Sequence, residues 1–159
     1  MKEEISGSLS GGSFALAWDP DSRLTQVDLP NSGGRMEYAY FGQGLTRTQE
    51  AYSGGGDLQA SYAYAYDGRG KRTSMSVDIP QDPGISGDYA YAYDGMGRIS
   101  SFVPPSSLAP PSSYAYDQAG NLTAKTTGAQ SETYAYDAAN QIETGPEGSY
   151  AYDGRGNLI

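Results

Sequence analysis

The stretch YAYDGMGRIS at residues 91–100 decides the fold, because its pattern keeps returning along the chain. Tyr-Ala-Tyr-Asp also occurs at 64–67, 114–117, 134–137 and 150–153. Two degenerate copies, at 18–25 and 40–46, bring the number of units to seven. Tandem repeats of this kind indicate an architecture in which each unit buries its apolar face only against its neighbours.

The local chemistry of one unit predicts a β-hairpin. Tyr-Ala-Tyr alternates large and small side chains with a period of two, and tyrosine suits a half-buried pleated surface. The following Asp can accept a hydrogen bond from the backbone two residues later, which opens a turn. A Gly three residues after the Asp supplies a positive φ, and Asn tolerates that conformation next best. The Leu/Ile-Thr/Ser pair that follows is the predicted return strand.

The residues predicted to matter are therefore structural positions that recur in each unit: two tyrosines, a turn Asp and a left-handed residue. They are Tyr64, Tyr66, Asp67 and Gly70; Tyr91, Tyr93, Asp94 and Gly97; Tyr114, Tyr116, Asp117 and Gly120; Tyr134, Tyr136, Asp137 and Asn140; and Tyr150, Tyr152, Asp153 and Gly156.

Tyrosine is predicted to provide most of the core. The chain has 15 tyrosines but only three valines among its 159 residues. Tyrosines at i and i+2 share a face of a strand, so rings of successive hairpins are expected to stack in ladders. A buried tyrosine hydroxyl in such a ladder needs a hydrogen-bond partner.

The residue between paired tyrosines is alanine in every case. These alanines are Ala39, Ala63, Ala65, Ala90, Ala92, Ala115, Ala135 and Ala151. An exposed strand face usually carries longer polar side chains. Two interpretations stay open: a biased or near-consensus sequence, or a face against which a second sheet or another copy of the chain packs closely.

Composition disfavours several classes of function. The net charge is −9, and a protein that binds nucleic acid phosphates or an anionic membrane needs a basic surface instead. The chain has neither Cys nor His, so it lacks a thiol nucleophile, the usual general base and the commonest metal ligand. A turn such as 153–157 offers a single carboxylate, whereas Ca²⁺ takes about six or more oxygen ligands. We therefore predict no enzymatic activity, no cofactor and no metal.

The sequence divides into three predicted regions. Residues 1–13 are a polar lead-in, residues 14–60 hold degenerate repeats, and residues 61–159 hold regular repeats. Proline-containing inserts at 76–88 and 102–113 interrupt the regular region, and proline cannot extend a central ladder. No apolar stripe with helical period is long enough for a helix, so the predicted fold class is all-β.

The ends of the sequence suggest an excerpt of a longer protein. The start, Met1 to Glu4, leads into a Gly/Ser segment and not into the apolar region of a signal peptide. The last unit stops at Ile159, early in its expected return strand.

The pattern Tyr-x-Tyr-Asp-x-x-Gly-(Arg/Asn)-(Leu/Ile)-(Thr/Ser), seen in full at 91–100 and 114–123 and up to Leu158 in the last unit, resembles the YD-repeat family, also called RHS repeats. The resemblance covers roughly residues 14–159. This family includes bacterial Rhs and wall-associated toxins, shell subunits of insecticidal toxin complexes, and teneurins. The resemblance implies a twisted ribbon or β-solenoid of hairpins, an open segment of a shell, in a secreted or cell-surface protein. It also implies that the recurring Tyr, Asp and Gly positions build the shell.

Three functions fit these expectations. The first is a non-enzymatic structural scaffold whose partner is the rest of a longer shell. The second is a self-assembling extracellular filament, because an open ribbon has bare edges that recruit strands from other copies. The third is an adhesion module that binds a glycan or a receptor through residues 76–88 and 102–113.

Overall fold

A computed structural model describes residues 2–5 and 12–159, with side chains from residue 12 onward apart from Ser32. The chain divides into two compact units, Met1–Ala90 and Tyr91–Ile159. Apart from a short 3₁₀ turn at Pro30–Ser32, the regular structure in both is antiparallel β-sheet, which confirms the predicted fold class. No helix among the described residues is long and apolar enough to cross a membrane.

The first unit is an open antiparallel sheet in which strands pair in chain order. Each strand contacts the strand before it and the strand after it, as consecutive hairpins require. The strands are β1 (Lys2–Ile5), β2 (Phe14–Trp18), β3 (Leu24–Asp28), β4 (Arg35–Tyr40), β5 (Thr46–Tyr52), β6 (Leu58–Tyr66), β7 (Arg72–Asp78) and β8 (Gly87–Tyr93), the last of which runs past Ala90. Strand β1 lies inside the predicted polar lead-in, so that part of the lead-in is paired; residues 1 and 6–11 lie outside the described residues.

The second unit repeats the same antiparallel order in shorter strands. Strands β9 (Ile99–Val103), β10 (Ser112–Tyr116), β11 (Leu122–Thr127) and β12 (Gln130–Thr133) pair in sequence. Strands β13 (Ala135–Tyr136), β14 (Ile142–Gly145) and β15 (Gly148–Ser149) form a separate small sheet. Tyr152 and Leu158 make one further antiparallel bridge, in the last repeat.

A β-bulge recurs one position before the turn in most hairpins. In β6 and β7, Ala65 faces Ser74 but Tyr66 faces Arg72, so Thr73 is an extra residue in the return strand. The same shift falls at Ala17/Trp18, Ala39/Tyr40, Ala51/Tyr52, Ala115/Tyr116 and Ala135/Tyr136. A bulge bends its strand and increases the local right-handed twist. A repeated bulge therefore adds the same twist at each turn.

The strand register interleaves tyrosines with residues of the return strands. Met75 of β7 lies opposite Tyr64 of β6 on one side and Tyr89 of β8 on the other. Because every hairpin contributes one tyrosine strand and one return strand, rings of successive hairpins are two strands apart, about 9.5 Å. The directly stacked tyrosine ladders expected from sequence are thus replaced by tyrosines that alternate with return-strand residues of mixed chemistry, such as Met75, Val77 and Lys125.

Few side chains are fully buried. Among the described hydrophobic residues, only Val77 and Tyr89 are buried, with 6% and 9% of their surface exposed. The chain exposes 10191 Å², whereas a compact monomer of this mass exposes about 7,700 Å². The tyrosines other than Tyr89 are half-buried, while Ala63, Ala90 and Ala92 are exposed. The alanine face is therefore open in this structure.

The two inserts form connections that are shorter than their predicted bounds. Strand β7 continues to Asp78 and β8 begins at Gly87, so the first connection spans 79–86. The second spans 104–111, between β9 and β10. The first closes on itself, since the Ser86 hydroxyl accepts a hydrogen bond from the Ile79 amide at 2.9 Å. The division of the chain at residue 60 into degenerate and regular repeats stays a prediction.

Candidate functional site: the aspartate turns

Each repeat contains a turn, and these turns all have the same geometry. In the turn at 67–71, the Asp67 amide donates to the carbonyl of Lys71 at 2.8 Å, and the Gly70 amide donates to the carbonyl of Asp67 at 3.0 Å. This is a three-residue hairpin loop with a left-handed residue at its end. The same two bonds close the turns at 19–23, 41–45, 53–57, 94–98, 117–121, 137–141 and 153–157. The described residues thus contain eight such turns.

The fourth residue of every turn has a positive φ. The angle is 77° at Gly70, 81° at Gly97, 99° at Gly120 and 83° at Gly156, and Asn140 takes 62° in the same position. A side chain at this φ comes close to the following carbonyl oxygen, which is why Gly and Asn are preferred in the slot; Ser22, with a φ of 61°, is the exception.

The carboxylate of the turn Asp is the hydrogen-bond acceptor for two backbone amides of the turn. Asp67 Oδ1 accepts hydrogen bonds from the amides of Arg69 at 2.8 Å and Lys71 at 2.9 Å. Asp19, Asp94, Asp137 and Asp153 accept the equivalent pair, and Asp117 accepts from the Asn121 amide at 2.8 Å. The Asp therefore fixes the inside of the loop with a single oxygen.

These hydrogen bonds favour the ionised carboxylate. The backbone amide of the residue four positions later is the main cause that lowers the pKa of Asp19, Asp67 and Asp94 below the ordinary value. For Asp117 and Asp153, the main cause that lowers the pKa is the side-chain amide of Asn121 or Asn157. Each side-chain amide lies 2.9 Å from Oδ2. A low pKa here follows from turn geometry and requires no catalytic role.

The second tyrosine of a unit can tie its hairpin to the one before. The hydroxyl of Tyr40 donates to the carbonyl of Leu24 at 2.7 Å, and that of Tyr136 donates to the carbonyl of Leu122 at 3.0 Å. Both acceptors are the first residue of the preceding return strand. The hydroxyl of Tyr134, a first tyrosine, donates instead to the Glu132 carboxylate at 2.9 Å.

The structure brings together the tyrosines, Asp and left-handed residue of each unit, and it keeps the carboxylates of different units in separate turns. Tyr150 lies just outside a strand, where its amide donates to the carbonyl of Glu143 at 2.9 Å. Among the side chains that the structure describes, no three His, Cys, Asp or Glu residues come together in a way that could hold a metal ion. The assignment of these residues as purely structural stays a prediction.

Two features of the structure were not predicted from the sequence. The turn at 53–57 makes an eighth unit in which Ser53 replaces Asp, and its hydroxyl accepts from the Asp57 amide at 3.1 Å. The three-residue spacing from Ser53 to Gly56, whose φ is 89°, was the available signal. The second feature is the bulge, which was not predicted although it falls at an Ala-Tyr or Ala-Trp step in each of the six hairpins where the register shows it.

One hollow of about 310 Å³ lies on strands β3 to β5. Glu37, Glu50 and Thr48 are among its lining residues. It is open to solvent, unlike the enclosed and largely apolar sites that bury small ligands.

Sequential hairpins that share a turn and a tyrosine pattern make this chain a hairpin-repeat protein. The chain belongs to the teneurin YD-shell family, which matches residues 10–159 and confirms the resemblance stated from the motif. No curated protein matches the chain.

Two solved structures have a similar fold. One is the crystal structure of TcdB2-TccC3-Cdc42, with a TM-score of 0.50 and 15% identity over 92% of this chain and 10% of that chain. The other is the Tc holotoxin pore of Photorhabdus luminescens with a mutation in TccC3, with a TM-score of 0.51 and 15% identity over 93% of this chain and 10% of that chain. The chain thus spans about a tenth of the length of these structures.

Proposed function

We propose that this chain is a non-enzymatic wall segment: a run of hairpins that forms part of a larger YD-repeat shell. Its partners are the neighbouring repeats of that shell, and no cofactor takes part. Its setting is a secreted or cell-surface protein, which the family relationship supports. Finding the chain only in the cytosol of its source cells would contradict that setting.

The observation that carries the proposal is the scarcity of burial in a well-paired sheet. Every strand of the first unit pairs with its chain neighbours, yet Val77 and Tyr89 are its only buried hydrophobic residues among those described. A globular domain covers a sheet with a second layer. A shell wall instead gains its stability from neighbour contacts along the ribbon.

Size-exclusion chromatography with light scattering, over a hundredfold range of concentration, tests the proposal. A wall segment has no partner in a pure sample, so we expect a constant mass of 16.8 kDa. Negative-stain images of the earliest-eluting fraction are the companion measurement. A mass that grows with concentration, together with regular fibres, would contradict the wall segment.

The second candidate, a self-assembling filament, is favoured by the exposed alanine face. Ala63, Ala90 and Ala92 leave a shallow surface that a second copy could approach closely. The net charge of −9 opposes such contact. If a filament is the true state, 1 M NaCl should promote fibres by screening this repulsion, whereas a wall segment keeps its mass in salt.

The third candidate is an adhesion module, favoured by exposed apolar side chains in both connections. Ile85 is 37% exposed and Leu108 is 47% exposed. An array of glycans tests it, with I85S and L108S as matched variants. Binding that survives both substitutions would exclude these connections as the contact site.

A further inference from the structure

Two turns carry an arginine immediately after the left-handed residue, and both arginines pair with the Asp of their own turn; Arg23 also pairs with Asp21, where the other turn has Met96. Arg23 Nε donates to Asp19 Oδ2 at 2.7 Å, and Arg98 Nε donates to Asp94 Oδ2 at 2.7 Å. Each side chain is about three-quarters buried, with 26% and 25% of its surface exposed. The two positions are therefore held by local geometry before any other contact is made.

The same guanidinium groups also reach the next turn along the chain. Arg98 Nη1 donates to the carbonyl of Asp117 at 3.0 Å, and its guanidinium carbon lies 4.5 Å from the centre of the Tyr116 ring. Arg23 Nη1 likewise donates to the carbonyl of Phe41 at 3.2 Å, with its guanidinium carbon 5.2 Å from the Tyr40 ring. One side chain thus holds its own Asp and the last two residues before the next loop.

Asn121 makes a shorter version of this link. Its Nδ2 donates to Asp117 Oδ2 and to Asn140 Oδ1, both at 2.9 Å. The turn at 117–121 is consequently tied to the turn before it by Arg98 and to the turn after it by Asn121.

The turn at 41–45 lacks a donor at this position, because residue 45 is leucine. Its contact with the turn at 67–71, the next turn at the same end of the strands, is apolar: the Phe41 and Tyr66 rings meet edge to face, with centroids 6.1 Å apart. Leu45 Cδ1 would lie 3.9 Å from a Cβ placed on Gly70. The chain therefore contains polar and apolar links between successive turns.

We propose that the residue after the turn's left-handed position is a staple that fixes the spacing of successive turns, and that Arg98 is the positioning residue for the turn at 117–121. The planar guanidinium suits this role because it presents several donors in a fixed fork and stacks on aromatic rings. Where leucine replaces the donor, the link to the turn at 67–71 includes the apolar contact of Phe41 with Tyr66. This inference concerns contacts between successive hairpin repeats, and it holds whether or not the chain forms part of a shell.

Amide hydrogen exchange on the intact chain tests the staple with R98M, and R155M is the matched control. Arg155 sits at the tip of its turn, where its backbone amide donates to Asp153. In R98M we expect the amides of Gly120 and Asn121 to exchange roughly 10- to 150-fold faster, the range for losing a hydrogen bond to a charged group. R155M should leave those two amides at the wild-type rate.

A second variant, R98K, separates the staple from simple loss of charge. Lysine can keep the ion pair with Asp94, but it lacks the several donors of the planar guanidinium. Amide exchange should therefore accelerate at 117–121 and stay slow at the backbone amide of residue 98. Wild-type exchange at 117–121 in both variants would overturn the proposal. So would equal acceleration throughout residues 91–127, because that pattern reports general destabilisation. Neither result would change the mass measured by light scattering, so the wall proposal is tested separately.

Discussion

Replacing Gly70 by alanine measures the turn geometry directly. Gly70 has a φ of 77°, and a Cβ placed there meets only Leu45 Cδ1 at 3.9 Å, an ordinary contact. The cost of G70A is therefore conformational, about 1–2 kcal/mol for a residue forced into the left-handed region. With a urea slope of about 2 kcal/mol/M, the midpoint of unfolding should fall by roughly 0.5–1 M.

Gly68 in the same loop is the matched control. It has no positive φ, and no atom lies within 4 Å of a Cβ placed there. G68A should therefore be neutral or stabilise the fold by about 0.4–1 kcal/mol, because alanine restricts the unfolded chain. G70N should be milder than G70A, since Asn140 adopts a φ of 62° in the equivalent position. Equal midpoints for G70A and G68A in urea titrations followed by circular dichroism would refute the reasoning.

Three further predictions follow from burial, hydrogen bonding and ionisation. V77A should lower the free energy of unfolding in urea by about 1.5–3 kcal/mol, whereas V103A, at an exposed position, should cost under about 0.5 kcal/mol; equal losses would contradict the burial argument. Y136F should lower the free energy of unfolding by about 0.5–1.5 kcal/mol, because it leaves a carbonyl of the preceding hairpin without its hydroxyl donor. Y114F removes no hydrogen bond among the described residues, so it should lower the thermal stability less. Because backbone hydrogen bonds lower the pKa of Asp67 below 3.8, the folded chain binds fewer protons than the unfolded chain, so this stabilisation is present above the ordinary pKa and is lost as pH falls through the folded pKa. Urea midpoints measured from pH 6 to pH 2 should drop most steeply below about pH 4, and less so in D67N; a flat profile would contradict the role of the carboxylate.

The repeat motif was sufficient to predict the hairpin and its turn. Tyr64 and Tyr66 have the period of a strand, Asp67 has the acceptor that an Asx turn uses, and Gly70 permits the left-handed conformation. Each of these properties belongs to one residue and its immediate neighbours. Local properties can be inferred from sequence because they do not depend on which other strand lies alongside.

The features that the sequence did not predict depend on pairing between strands. The bulge at Ala65/Tyr66 is a property of the register between two strands, so it was not predicted even though an Ala-aromatic step recurs at each such shift. The alternation of Tyr64, Met75 and Tyr89 likewise requires knowing that β7 lies between β6 and β8. The sequence predicts a loop at 53–56 but not a repeat turn there, because a hydroxyl takes over the acceptor role of the Asp carboxylate.

The contacts between successive repeats also could not be predicted from the sequence. Arg98 belongs to the recognised motif, but its contact with Asp117 joins residues 19 positions apart. Whether an arginine at this position reaches the next turn depends on how far apart the bulge and the strand twist place the two turns. Sequence periodicity gives the order of the repeats, and it does not give this distance.

The central claim is that the hairpins pair in chain order with one fixed register. Interstrand nuclear Overhauser effects at Met75 test it most directly, because this residue should contact a different tyrosine on each side. The account predicts cross-peaks from the Met75 backbone to Tyr64 and also to Tyr89. Cross-peaks to only one of these tyrosines, or to their alanine neighbours in a register shifted by one residue, would contradict this strand order and register.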